Sequence, residues 1–364
     1  MKEIRSIINH YKAIIGTKKR MALATVVNVE GSSYRREGAR MLVVEDGTWV
    51  GGISGGCLEG DALRKAKNAI VKGIPSIVRY DTRDDDVFQI GVGLGCNGVI
   101  DVLISPIINH RSNPIEILSR CMNKRQPSIL LTSIGKSGNI PIGTMQEIVL
   151  NRQLKTTDNE EVNKKLEKEI GEVVLDKKSK IALLHGGKYE YKFFIEYLPP
   201  EMHLILYGAN YDIYPLADIA KNIGWEVTVV CNPQKVDKAL FTKVNVVSIK
   251  SNKIIFDKYT AAILMAHDYK TDKNNLCSII NSDVAYIGML GPQVRSKKIL
   301  NELRIKYSDK WPSDLTNIHA PIGLDTGATS PEEIAISIIA EIRTYFSKRS
   351  GGYLKDRIDT IHSR

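Results

Sequence analysis

From Met202 onward the chain alternates short apolar runs with helical periods, and this rhythm limits the possible fold more than any other feature. His203 to Tyr207, Trp225 to Val230, Thr260 to Ala266 and Val284 to Met289 read as strands, with Asp212 to Asn222, Tyr269 to Ile280 and Gln293 to Ile305 as helices. Such alternation predicts a Rossmann-like, doubly wound parallel sheet that binds ligands beyond the carboxyl ends of its strands. A last helix opens at Ser330-Pro331-Glu332-Glu333, with cap, N1 proline and N3 glutamate in order, and buries Ile334, Ile338, Ile339 and Ile342.

The first half is patterned differently. Ile4, Ile7, Ile8, Tyr11, Ile14 and Ile15 recur at helical spacing as far as Gly16. Strands follow at 21–29, 39–45 and 48–53, divided by Glu30-Gly31-Ser32-Ser33 and by the hairpin signal Asp46-Gly47. A helix from Glu59 to Lys72 stops at Gly73 with Pro75 beyond, and strands return at 76–80 and 99–104. An α+β domain over 1–108 is expected, then a middle segment over 109–199, the Rossmann-like domain over 200–346 and a tail over 347–364. Within the middle segment, Pro114 to Asn123 reads as helix and 128–133 and 141–149 as strands. The charged stretch from Asn151 to Lys180 reads as a solvated connection.

At roughly 150 residues per domain, 364 residues give two or three domains, each able to bury its own core. No apolar run approaches the ~18 residues of a spanning helix, so no membrane association is expected. Met1-Lys2-Glu3-Ile4-Arg5 places charges where a signal peptide has its apolar stretch, which points to the cytoplasm. Cys57, Cys96, Cys121, Cys231 and Cys277 are odd in number with no C-x-x-C pair, so free thiols are expected. The net charge of +10 comes from Lys and Arg scattered among Asp and Glu, which argues against nucleic acid.

Two glycine-rich loops carry the chemistry of the first half. In GGISGGCLEGD, Gly51, Gly52, Gly55, Gly56 and Gly60 surround Ser54 and Cys57 at the start of a helix, whose first amides and dipole suit an anion. In GVGLGCNG, Gly91, Gly93, Gly95 and Gly98 surround Cys96 before a strand. Tight turns with inert cysteines are the alternative reading of both. Upstream, Arg35, Arg36 and Arg40 flank a turn, where they would reach a phosphate or form a solvated basic surface.

The succession EGSSYRREGARML, GGISGGCLEGD and GLGCNGVIDV resembles the N-terminal domain of the XdhC/CoxI family of xanthine dehydrogenase and carbon monoxide dehydrogenase maturation factors. The resemblance continues through LYGANYDIYPLADIAKNIGWEVTVV, MAHDYKTD, YIGMLGPQVRSKKIL and PIGLDTGATSPEEIAISIIAEI in the family's order, over roughly residues 20–345. It implies a chaperone, more an accessory protein than a catalyst, that holds the molybdenum cofactor (molybdopterin) while a cysteine desulfurase helps install its sulfur. Delivery to the large subunit of a molybdenum hydroxylase, and a homodimer, are implied with it. The cofactor-binding candidates are then Arg36, Arg40, Gly52, Ser54, Gly55, Gly56, Cys57, Gly95 and Cys96 in the first half, and Gly208, Asp212, His267 and Asp325 in the second.

A dinucleotide fingerprint would need G-x-G-x-x-G after the first strand and an acid about 20 residues on. Gly208 holds the first place, but Asn210 and Ile213 hold the others and Cys231 stands where the acid belongs, which argues against NAD. His267, Asp268 and Asp272 follow the strand ending at Ala266; a loop histidine and a helix-capping aspartate account for them better than a metal site does. Two other functions compete with the chaperone. One is an NAD(P)-dependent oxidoreductase, supported by the fold alone. The other is a sulfur carrier using Cys57 or Cys96, the former favoured as thiolate by the helix start.

Overall fold

The computed structural model describes residues 1–31, 33–81, 83, 98–108, 113–135, 140–150, 152–241, 244–248, 254–308 and 311–358. The chain divides into two compact units, Met1–Pro200 and Glu201–Arg364.

The first unit opens with α1 (Lys2–Ile14), β1 (Met21–Gly31), β2 (Arg40–Val44), β3 (Trp49–Gly51), α2 (Glu59–Lys72), β4 (Ser76–Asp81) and β5 (Gly98–Pro106). The strands form one antiparallel sheet in the order β3-β2-β1-β5-β4. Alternation along β2 explains its continuous burial: Met41 and Val43 face Ala62, Ala66 and Ile70 of α2, while Leu42 and Val44 face Ile4, Ile7 and Tyr11 of α1. The Asp46-Gly47 turn joins β2 to β3, with Gly47 at φ 94°, and α2 ends where Gly73 turns left-handed at φ 66°.

Residues 113–198 add α3 (Pro114–Met122), β6 (Ser128–Ser133), β7 (Met145–Ile148), α4 (Glu160–Asp176), β8 (Lys180–Gly186) and β9 (Tyr189–Leu198). The four strands pair antiparallel as β7-β6-β9-β8. The stretch expected to be a solvated connection is mostly helix. Val162, Leu166, Ile170 and Val173 of α4 are buried against Leu131, Ala182, Leu184 and Phe193 of this sheet, and the dense charge lies on the opposite face.

The second unit runs β10 (His203–Tyr207), α5 (Ile213–Asn222), β11 (Glu226–Val230), α6 (Lys238–Phe241), β12 (Asn245–Val247), β13 (Thr260–Leu264), α7 (Tyr269–Ile279), β14 (Tyr286–Met289), α8 (Gln293–Lys306), β15 (Ile318–His319) and α9 (Pro331–Ser347). All six strands are parallel in the order β12-β11-β10-β13-β14-β15, which is the doubly wound topology expected. Leu204 and Leu206 of β10 pack under α5 and α9, whereas Ile205 and Tyr207 pack on the core of α7 and α8. The strand order reverses between β10 and β13, so the crevice for ligands opens beyond Tyr207 and Leu264.

Candidate functional site

Two places in the second unit gather polar groups at the carboxyl edge. At the switch point, Gly208 passes so close to the end of β13 that a Cβ on it would lie 2.6 Å from the Met265 carbonyl oxygen. Only glycine fits there. Asn210, where the fingerprint would have its second glycine, donates from Nδ2 to the Ala266 carbonyl at 3.2 Å and ties the two strand ends together. Asp212 and His267 then meet, Oδ2 to Nε2, at 2.5 Å. His267 has φ 58°, a left-handed conformation uncommon for a non-glycine residue. The other oxygen of Asp212, Oδ1, is buried and has no hydrogen-bond partner among the described residues.

The neighbouring carboxylates have other duties. Asp268 caps α7, accepting from the Thr271 amide at 2.7 Å and its hydroxyl at 2.6 Å, and these bonds hold its carboxyl below the ordinary range. Asp272 is 1% exposed; burial pushes its carboxyl up, against the Ala266 amide and the Arg295 guanidinium, each 3.0 Å away. Among the described residues no group of three or more His, Cys, Asp or Glu is placed to hold a metal ion. At the end of β11, Cys231 is buried at 2% exposure, which pushes its thiol up, and Asn232 caps the short turn Pro233–Lys235.

Asp325 is exposed in the turn Gly323–Gly327 after β15, and no hydrogen bond or ion pair among the described residues joins it to Asp212 or His267. Glu341 of α9 fixes that turn. Its carboxylate accepts from the Gly323 amide and pairs with His319 Nδ1 at 2.5 Å. Burial alone would push Glu341 up, but these partners outweigh it and keep it below the usual range.

In the first unit the glycine loop is already organised around an acid of its own. Glu59, the first residue of α2, accepts from the amides of Ile53 (3.2 Å) and Ser54 (2.8 Å) and from the Ser54 hydroxyl. The Ser54 oxygen in turn accepts from the amides of Gly56 (3.2 Å) and Leu58 (3.1 Å), and the Gly52 amide donates to the Arg40 carbonyl at 2.9 Å. Of the amides expected to face an anion, those of Gly55 and Cys57 carry no hydrogen bond among the described residues. Cys57 is a half-buried free thiol, as is Cys277, whereas the free thiols of Cys121 and Cys231 are buried. Gly95 and Cys96 lie outside the described residues.

The expected phosphate contact of Arg40 gives way to a structural role. The residue is fully buried, its Nη1 and Nη2 bond Glu196 of β9 at 3.0 and 2.5 Å, and Nη1 also donates to the Gly38 carbonyl at 2.7 Å. Both terminal nitrogens are thus engaged by protein groups inside the fold, while Nε is buried without a partner among the described residues. Arg35 pairs with Glu3, while Arg36 is half-buried and its Nε has no partner among the described residues. The turn does reach the glycine loop, through Tyr34, whose ring lies against Gly55.

Two family models match the chain, the XdhC and CoxI family over residues 15–81 and the XdhC Rossmann domain over residues 204–342. Among curated proteins it is 29% identical to a probable xanthine dehydrogenase subunit of Bacillus subtilis (strain 168), over 91% of this chain and 94% of that one. It is 22% identical to the molybdenum cofactor insertion chaperone PaoD of Escherichia coli (strain K12), over 93% and 87%. A crystal structure of a xanthine dehydrogenase from Bacillus halodurans superposes with a TM-score of 0.72 at 27% identity, over 96% of this chain and 98% of that one. With both family models in register and relatives matched nearly end to end, the chain belongs to the XdhC and CoxI family.

Proposed function

We propose that this protein is a maturation chaperone that carries the molybdenum cofactor as cargo to the large subunit of a xanthine dehydrogenase-type molybdenum hydroxylase. It shields the cargo while a cysteine desulfurase supplies the terminal sulfur, and it works in the cytoplasm as a homodimer. The observation that carries the reading is the Asp212–His267 pair, a half-exposed imidazole held by a carboxylate at the crevice where open parallel sheets take their ligands. The whole-length similarity to an insertion chaperone supports the same reading. The oxidoreductase alternative has less support, because Asn210 fills the approach to a pyrophosphate and the buried thiol of Cys231 replaces the ribose-binding acid. A sulfur-carrier role has one observation in favour, the half-buried free thiol of Cys57 next to the unbonded Gly55 and Cys57 amides.

Mass spectrometry of the protein co-expressed with the pterin biosynthetic enzymes tests the proposal. Bound molybdopterin is expected in the wild type and about tenfold less, ~1.4 kcal/mol of affinity, in Asp212→Asn and His267→Ala. Wild-type protein that retains no pterin, or that binds NAD in the micromolar range, would overturn it.

A further inference from the structure

Tyr34 is 75% exposed although it stands in the turn that reaches the glycine loop of the first unit. Its ring is seated on that loop: a Cβ added to Gly55 would lie 3.1 Å from its Cγ and Cδ1. One face of the ring therefore covers bare backbone, and the other is open. Packing does not require this arrangement, since so exposed a ring contributes little to any core. Two buried polar atoms of the same turn also lack partners among the described residues, Oγ of Ser33, whose residue is 7% exposed, and Nε of Arg36. Buried donors and acceptors are satisfied almost everywhere in folded proteins, so two exceptions within the turn that carries an open aromatic ring favour a polar ligand there over a purely structural role.

We infer that Tyr34 is a stacking platform for a planar heterocycle, with the Ser33 hydroxyl serving the ring's polar edge and Arg36 its anionic substituent. The inference rests on the reading above only for the chemistry of the cargo, a phosphorylated pterin, and concerns the first unit by itself. Stacking on an aromatic side chain tolerates any flat heterocycle, whereas a guanidinium selects for phosphate.

Purified full-length protein titrated with two pterins, one bearing a phosphate ester and one without it, tests the inference through quenching of pterin fluorescence. Wild type should quench both, Tyr34→Phe and Tyr34→Trp should match it, and Tyr34→Ala should bind both about tenfold more weakly with the quenching lost. Arg36→Gln should weaken the phosphorylated pterin alone. An unchanged melting temperature is expected for Tyr34→Ala, because the side chain is mostly in solvent. Wild-type protein that takes up neither probe removes both the proposed function and this inference. A Tyr34→Ala variant that binds and quenches like wild type removes the inference alone, and an Arg36→Gln variant that weakens both pterins equally removes the arginine from it.

Discussion

Replacing Glu196 by Ala tests what holds the two sheets of the first unit together. The substitution leaves Arg40, at 0% exposure, with the Gly38 carbonyl as the remaining acceptor for its terminal nitrogens. A buried charge stripped of its partner costs about 3–5 kcal/mol, against at most ~1 kcal/mol for an exposed pair. In a unit of this size each kcal/mol lowers the melting temperature by roughly 2–4 °C, so a drop of about 6–20 °C is expected. Circular dichroism melts and urea titrations read it. The double variant Arg40→Met/Glu196→Leu removes both charges and fills the space with apolar atoms, and should recover most of the loss. The reasoning fails if Glu196→Ala costs less than about 1 kcal/mol, the worth of a surface pair, or if the double variant is as unstable as two independent losses would make it. Arg40→Ala would lower ligand affinity through the fold, by freeing Glu196 inside it.

Two more outcomes concern the free thiols and the glycine loop of the first unit. Iodoacetamide should modify Cys57 about tenfold faster than Cys121 or Cys231, whose burial at 4% and 2% exposure pushes both thiols up; equal rates by peptide mass spectrometry would make Cys57 an ordinary packing residue. Burial would push Glu59 up, but hydrogen bonds from the Ser54 hydroxyl and the Ser54 and Ile53 amides outweigh it, so its folded value lies below the unfolded one. Its contribution is therefore complete above the ordinary glutamate range and is lost as acid protonates it in the fold. Glu59→Ala should cost about 1 kcal/mol at neutral pH, the low end for a half-exposed acceptor. The gap from wild type should close in acid, and a gap independent of pH would remove Glu59 as organiser of the loop.

The elements legible in the sequence were those fixed by neighbours a few residues away. Ser330 and Glu333 form the full capping box around the N1 Pro331, and Gly47 and Gly73 take the positive φ their turns demand. The alternation after Met202 pointed to a doubly wound sheet for a similar reason, since each crossover is local. Helix α4 was obscured because charged residues outnumber the thin apolar stripe of Val162, Leu166, Ile170 and Val173. The partner of Arg40 lies on a strand far along the chain, and no local pattern distinguishes an arginine bound for a buried carboxylate from one bound for a phosphate. Glu59 marked only the start of a helix in the sequence, and its bonds back to the Ile53 and Ser54 amides depend on how the glycine loop folds over it. Asp212 and His267 were each legible as candidates, and their pairing needed the parallel register of β10 and β13.

The packing of α9 bears on how the second unit comes into being on the ribosome. Ala335, Ile338, Ile339 and Ile342 fill the same core that Ile213, Leu216, Ala217 and Ala220 of α5 begin, so the first and last helices of the unit complete one layer. During synthesis β10, α5 and β11 emerge early with half of their apolar cover still untranslated. Their exposed face must wait through α7, β14 and α8 before α9 arrives, a delay that favours contact with chaperones or with copies of the nascent chain. The first unit meets a similar wait earlier, since Arg40 of β2 has no Glu196 until β9 is made, but its strands and helices are complete before Glu201. A ribosome stalled just before Pro331 would thus carry one finished unit and one with an open core.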